Sequence, residues 1–380
     1  MNTLIQSVSR RSSVAAARRG GVLRSLCVSL VAGLGFAGIA NAGFLTVPNG
    51  DFSALGNAGS VGGGVIGASG TNVLIGSGPW TGTYNGVLTL LVPPTLAISP
   101  SLQTATISGL LGINAVGIVN NGGHFGQTLS NNVQSNKRYT TIVDMDASGL
   151  LDIGLISAAG VGVSLHAGAS TLISSDTAAA GPLRADLLGA STVRVQMYHD
   201  TATVAAAPLG LQLFDRPQGL LTASLVDSVS FSNVRLAETT IPSGNSTLTV
   251  SGGGSQSAPV GQPFPQSLTA IVRDQNGDPV PDTLVTLTAP AEGASATLHA
   301  GTESGRVIVA VTDASGQITF SADANEISGC YIVTGEVPGI DSLAIFHMRN
   351  YSQAQIAAYM AAHPGVKGMP QDSIFCNGFE

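Results

Sequence analysis

From residue 43 onward the apolar and β-branched residues come in short runs, many alternating with polar ones, and Gly, Asn, Asp or Pro closes nearly every run. Side chains on a strand point alternately to opposite faces, whereas the apolar positions of a helix recur every three to four residues. The period-two sets Val193, Val195 and Met197, Val229 and Phe231, and Leu268, Ala270 and Val272 therefore specify half-buried strands. A chain of 380 residues is long enough for two cores of ordinary size. Charged residues make up only 10% of it and glycines number 49, which fits many strands joined by tight turns better than helices rich in Lys and Glu. The predicted fold is all-β: two β-sandwich domains followed by a short C-terminal helix and tail.

The first 42 residues read as a signal peptide. Arg10, Arg11, Arg18, Arg19 and Arg24 form a basic region, Leu26 through Ile39 carries no charge, and Ala40-Asn41-Ala42 has the A-x-A pattern of a cleavage site. The predicted mature start is Gly43; a basic organelle presequence and a retained anchor are the alternatives. Ser9-Arg10-Arg11 is a partial twin-arginine signal but lies far from the apolar stretch, which favours the general secretory route. Without these five arginines, ten basic and 22 acidic side chains remain, a formal charge of −12. Such a chain repels polyanions and has no basic patch, so nucleic acid is excluded as a partner and anionic membrane surfaces are disfavoured. Every apolar stretch after residue 42 is broken well short of the roughly 20 residues of a spanning helix, so no transmembrane segment is expected.

Residues 43–237 form the first predicted sandwich. Its strand signals are Val87 to Val92, Tyr139 to Val143, Gly160 to Leu165, Thr192 to Met197, Leu209 to Phe214 and Val226 to Leu236, after an opening strand and an Asn49-Gly50 turn. The Gly-rich stretch from Gly56 to Gly70 has no periodicity and reads as loop. Asn49-Gly50-Asp51-Phe52, Tyr139 with Asp144, and Leu225-Val226-Asp227-Ser228-Val229 with Val234-Arg235-Leu236 resemble the ends and centre of galactose-binding-like jelly rolls of the carbohydrate-binding-module type. The resemblance implies that the first and last strands lie side by side, that a structural calcium sits near them with Asp51 and Asp227 as its carboxylates, and that the partner is a glycan. Sugar binders usually offer aromatic faces, and this domain has few. Trp80, between turn residues in Gly78-Pro79-Trp80-Thr81-Gly82, is the candidate platform if exposed and a core anchor if buried; Tyr84 is the other candidate.

Asp144, Asp146 and Asp152, with Gly149, match several positions of a calcium loop, making these carboxylates a second candidate calcium site. Position twelve of that loop is Leu155 where a bidentate Glu belongs, and strands rather than helices flank it. The alternative is a strand-ending turn.

Residues 238–246 read as a linker and residues 247–350 as the second sandwich. Eight strand-like segments, Thr247 to Ser251, Ser267 to Arg273, Thr283 to Thr288, Ala296 to Ala300, Arg306 to Thr312, Gln317 to Ala322, Cys330 to Val337 and Ser342 to Met348, are separated by turn signals that include Asn276-Gly277, Ser315-Gly316 and Pro338-Gly339. About 100 residues with seven or more short strands is immunoglobulin-like in size. Leu268-Thr269-Ala270-Ile271-Val272-Arg273-Asp274, Asn276-Gly277-Asp278-Pro279-Val280-Pro281, Thr312-Asp313-Ala314-Ser315-Gly316 and Tyr331-Ile332-Val333-Thr334 resemble the bacterial immunoglobulin-like (Big-1) repeats of invasin and intimin adhesins. That resemblance implies a spacer, scaffold or partner-binding role, the partner being a surface protein where it is not a glycan. Gly252-Gly253-Gly254-Ser255 reads as slack.

In the tail, residues 351–380, Ser352 caps a predicted helix through Ala362. The ending Ile374-Phe375-Cys376-Asn377-Gly378-Phe379-Glu380 is similar to a terminus found on some exported Gram-negative proteins, which implies an extracellular, cell-surface or periplasmic location. Cys330 and Cys376 are the two cysteines outside the leader, and an oxidising compartment would pair them. No G-x-S-x-G elbow or H-E-x-x-H helix occurs, and the six histidines lack metal-ligand spacing. The functional expectation is a non-enzymatic secreted or surface binding and adhesion protein. The alternative is a glycan-active hydrolase, or its accessory module, using paired carboxylates of the first domain.

Overall fold

In the computed structural model the described residues are 43–54, 59–61, 73–74, 78–85, 95–108, 122–149, 161–175, 183–188, 192–215 and 226–366. The leader, the runs at 62–72 and 87–92, and the C-terminal ending lie outside them. The fold is all-β. Four sheets, mostly antiparallel, pack in pairs, and one short helix follows them.

The first sandwich contains strands β1 (Phe44–Leu45), β2 (Gly59–Val61), β3 (Val73–Leu74), β4 (Thr81–Asn85), β5 (Thr95–Ser99), β6 (Thr104–Ser108) and β7 (Gly122–Asn132). It continues with β8 (Arg138–Gly149), β9 (Val161–Ala167), β10 (Ser170–Ser174), β11 (Leu183–Leu187), β12 (Thr192–Asp200), β13 (Pro208–Asp215) and β14 (Val226–Thr239). One sheet has the order β11-β12-β8-β14-β6-β5-β2, with β1 on β14; the other runs β10-β9-β13-β7-β4-β3. Alternation sets the core: Val143, Met145, Val193, Val195 and Phe231 of one sheet face Phe125, Val163, Leu165, Leu211 and Leu213 of the other. The first and last strands do lie side by side, Phe44 opposite Ala237 and Leu45 opposite Leu236. The Asn49-Gly50 turn continues this pairing, with the Val234 amide donating to Gly50 O at 2.8 Å. A Cβ at Gly50 would stand 2.4 Å from Val234 O, so only glycine permits the approach.

The second sandwich contains β15 (Thr247–Gly252), β16 (Ser255–Pro259), β17 (Leu268–Arg273), β18 (Leu284–Thr288), β19 (Ala296–Ala300), β20 (Glu303–Gly305), β21 (Val307–Val311), β22 (Gln317–Ala324), β23 (Gly329–Glu336) and β24 (Ala344–Tyr351). The sheet orders β15-β17-β22-β19-β20 and β16-β24-β23-β18-β21 contain the ABED and GFC sheets of an immunoglobulin sandwich, with β16, β20 and β21 added. Gly252-Gly253-Gly254-Ser255 is not slack: it carries the chain from the first of these sheets to the second. There β16 pairs in parallel with β24, and the His347 amide donates to Gly254 O at 2.8 Å. The helix α1 (Gln353–Ala362) starts where the sequence places it, with the Ser352 side chain accepting from Gln355 N and the Gln355 side chain accepting from Ser352 N.

The two sandwiches are packed on one another rather than strung on a free linker. Strand β14 runs to Thr239, and the next amide, Thr240 N, donates to Asp282 O at 2.7 Å. Ile142 and Ala237 on the outer face of the larger sheet form a small apolar cluster with Leu284 and Val309, flanked by Phe44 and Val311. Beside it lies a buried ionic cluster. Arg194 spans Asp144 with Nε to Oδ1 at 2.6 Å and Nη2 to Oδ2 at 2.8 Å, while its Nη1 donates to Val307 O at 2.8 Å. Glu303, from β20, accepts from Arg235 and stands 3.6 Å from Arg194 Nη1.

Candidate ligand-binding face

The predicted site residues do not converge. Trp80 is fully buried; its ring packs 5.4 Å from that of Phe52, and its Nε1 donates to Asn49 O at 2.9 Å. With no face in solvent it offers no stacking surface, which corrects the exposed-platform expectation: the indole fills the sandwich core and its polar edge satisfies a turn carbonyl. Tyr84 sits in β4, with its side chain outside the described residues.

Register sets Asp144 and Asp146 apart from the loop geometry expected of them. Asp144 and Asp146 lie within the continuous strand β8, not in a loop, because Asp-Met-Asp is the outward, inward, outward pattern of a strand. Asp144 is directly opposite Arg194 and also accepts from Asn233 Nδ2 at 3.0 Å, so its oxygens are taken by cationic and amide donors. Burial opposes the charge on Arg194, but the hydrogen bond and charge of Asp144, with the charge of Glu303, raise its pKa overall. Arg235 is lowered, chiefly by burial. Asp146 is exposed and accepts from Thr192 Oγ1 at 3.3 Å. Asp152 lies outside the described residues.

Asp51 is exposed, with one oxygen accepting from Ser53 N and the other from Ser53 Oγ. Its turn joins β14 at Val234, seven residues or about 20 Å along the strand from Asp227. The two backbone positions are therefore well separated along β14; the Asp227 side chain lies outside the described residues. Among the described residues no three His, Cys, Asp or Glu side chains gather as a metal site. Cys330 is disulfide-bonded, and Cys376 is beyond the described residues.

A face that the sequence reading did not single out is better built. The outer surface of the six-stranded sheet carries a trough of about 430 Å³ lined by Thr81, His124, Thr128, His166 and Gln212. Its floor is glycine: Gly126 on β7 and Gly210 on β13 stand where the outward side chains of the two central strands would project. Register aligns the walls around them. Gly126 lies beside Thr81 of β4 and Gln212 of β13, and Gly210 lies beside Thr128 of β7 and His166 of β9. His166 is held from both ring nitrogens, with Ser164 Oγ at 2.8 Å from Nε2 and Thr171 Oγ1 at 3.2 Å from Nδ1. Thr81 Oγ1 donates to Gly126 O at 3.0 Å, tying one wall to the floor. A Cβ at Gly126 would meet its neighbours no closer than 3.7 Å, and one at Gly210 no closer than 3.6 Å. Neither glycine is demanded by packing, so what their lack of a side chain provides is the depression itself. Among the described residues no carboxylate lines the trough.

No family model matches this chain, and no curated protein matches it. Among solved structures it is similar to the adhesin domain of Epf from Streptococcus pyogenes, at 11% identity over 82% of this chain and 97% of that one, with a TM-score of 0.27. It is also similar to the Yersinia pseudotuberculosis adhesin InvE, at 13% identity over 67% of this chain and 60% of that one, TM-score 0.23. A third is FdeC, an Escherichia coli adhesin, at 14% identity over 62% and 60% of the two chains, TM-score 0.19. At such identities and scores the likeness says nothing of ligand or activity.

Proposed function

We propose that this is an exported, non-enzymatic binding protein. The trough on its first sandwich takes a polyhydroxylated ligand, a glycan on a cell surface or in a matrix, and the second sandwich acts as an immunoglobulin-like scaffold of the bacterial Big-1 type. The observation that carries the reading is the trough itself. It is a concave sheet face with imidazole, amide and hydroxyl groups around a glycine floor and no acid among its described lining residues. Glycosidic cleavage needs two carboxyl groups flanking the scissile bond, and hydroxyl recognition needs the mixed donors and acceptors found here. The jelly-roll resemblance of the first sandwich, a Cys330 to Cys376 bridge and a Gram-negative envelope or extracellular location belong to the same proposal.

The test is a glycan array probed with the purified chain and with Gly126→Val, with and without calcium. The reading expects a defined set of glycans retained by the unsubstituted chain, lost when valine fills the floor, and unaffected by chelation. A ligand set unchanged by Gly126→Val, or release of a shortened sugar on incubation, overturns it.

A further inference from the structure

We infer that the cleft between the two sandwiches is a second binding site, for a neutral, largely apolar small molecule that carries a hydrogen-bond acceptor. The cleft measures about 440 Å³ and is lined by Thr140, Gln196 and Tyr198 of the first sandwich and by Leu284, Ile340 and Leu343 of the second, among others. That volume suits a drug-sized molecule, and such sites favour the junctions between packed domains.

Two polar groups in its wall are unused. Thr140 is 3% exposed and Gln196 5%, yet Thr140 Oγ1 and Gln196 Nε2 have no hydrogen-bond partner among the described residues. The Gln196 amide is oriented, because Thr286 Oγ1 donates to its Oε1 at 3.1 Å. That leaves the NH₂, a donor, as the unsatisfied end. A buried donor without an acceptor is costly; the Nε2 is closed to solvent, so the Gln196 side chain turns toward the cleft to meet a ligand carbonyl, and that contact recovers the loss. An ion is the wrong occupant. The nearby cation, Arg138, repels a cation and is itself already held by Asp200, donates to Pro338 O and lies 4.1 Å over the Tyr198 ring, while Glu336 lines the same cleft and disfavours an anion. The remaining wall is aliphatic and aromatic, so the body of the ligand is apolar.

The probe is 6-propionyl-2-dimethylaminonaphthalene, an uncharged naphthalene with one ketone and polarity-sensitive emission. With the purified chain the expected result is saturable one-to-one binding with blue-shifted emission. Gln196→Met, which removes the donor and keeps the length, should weaken binding by about five- to tenfold, the loss of one neutral hydrogen bond. Leu343→Trp, at the exposed rim, should block entry, whereas Gly210→Val in the trough should bind like the unsubstituted chain. Unquenched, blue emission from buried Trp80 reports that Gln196→Met has folded. Non-saturable binding, or equal affinity in Gln196→Met and Leu343→Trp, overturns the inference, as does loss of binding in Gly210→Val.

Discussion

Arg194→Met probes the joint between the sandwiches. Arg194, Arg235, Asp144 and Glu303 form a cluster of two cations and two anions, and the side chains of Arg194 and Asp144 are only 6% and 9% exposed. Removing one cation leaves a net negative charge in a buried place and strips the guanidinium donor from Val307 O. Breaking a buried ion pair typically costs about 3–5 kcal/mol, and since Asn233 still donates to Asp144 we expect a loss near 3 kcal/mol. Replacing both partners, as in Arg194→Met with Asp144→Leu, removes the stranded charge and should return the chain to within about 1 kcal/mol of the original. The assay is urea unfolding at 25 °C, followed by Trp80 emission for the first sandwich and by circular dichroism for the whole. A single variant within about 1 kcal/mol of the original, or a double variant as unstable as the single, would refute the claim that the pair matters through burial.

Three further outcomes are expected. Trp80→Ala empties a fully buried site and should cost about 3–5 kcal/mol in urea unfolding followed by circular dichroism alone, since the variant has no Trp emission to follow. Stability should fall at alkaline pH: burial, with the hydrogen bond to Glu238, raises the pKa of Tyr139, and burial raises that of Tyr331. A tyrosine raised in the folded state contributes fully below its unfolded value near 10 and loses that contribution as pH climbs toward the folded value, so unfolding midpoints measured between pH 8 and 11 should drop above about pH 10, by up to about 1.4 kcal/mol per pH unit for each ring. Asn350→Ala should cost about 2–4 kcal/mol, measured the same way, because fully buried Asn350 donates to Ser295 O, Asn325 Oδ1 and Ile327 O and accepts from Tyr331 OH.

The second sandwich was the more legible half. Its apolar alternation and its turn residues are both local signals, and β17, β18, β19, β22 and β23 fall within a residue or two of the runs read from sequence. Strand β16 escaped notice because Ser255 to Pro259 carries little apolar alternation, and its pairing with β24 joins segments some 90 residues apart. The capped helix was readable because Ser352 and Gln355 signal it within four residues. In the first sandwich the same Asp-x-Asp spacing describes both a calcium loop and one face of a strand, and only the register with Arg194 decides between them. The trough was beyond a linear reading. Thr81, His124, His166 and Gln212 come from four strands, and each alone looks like any outward-facing polar residue; glycines at the centres of β7 and β13 were the available hint. Trp80 drew attention as the sole Trp, yet the long-range packing that buries it leaves no mark on its neighbours in sequence.

The proposed glycan binding rests on the polar, glycine-floored sheet face. Calorimetric titration of a retained glycan into the unsubstituted chain, Gly210→Val and Trp80→Phe tests it most directly. Gly210→Val should bind at least tenfold more weakly, a loss of about 1.4 kcal/mol or more, and Trp80→Phe with unchanged affinity. Retained affinity in Gly210→Val together with its loss in Trp80→Phe would contradict it.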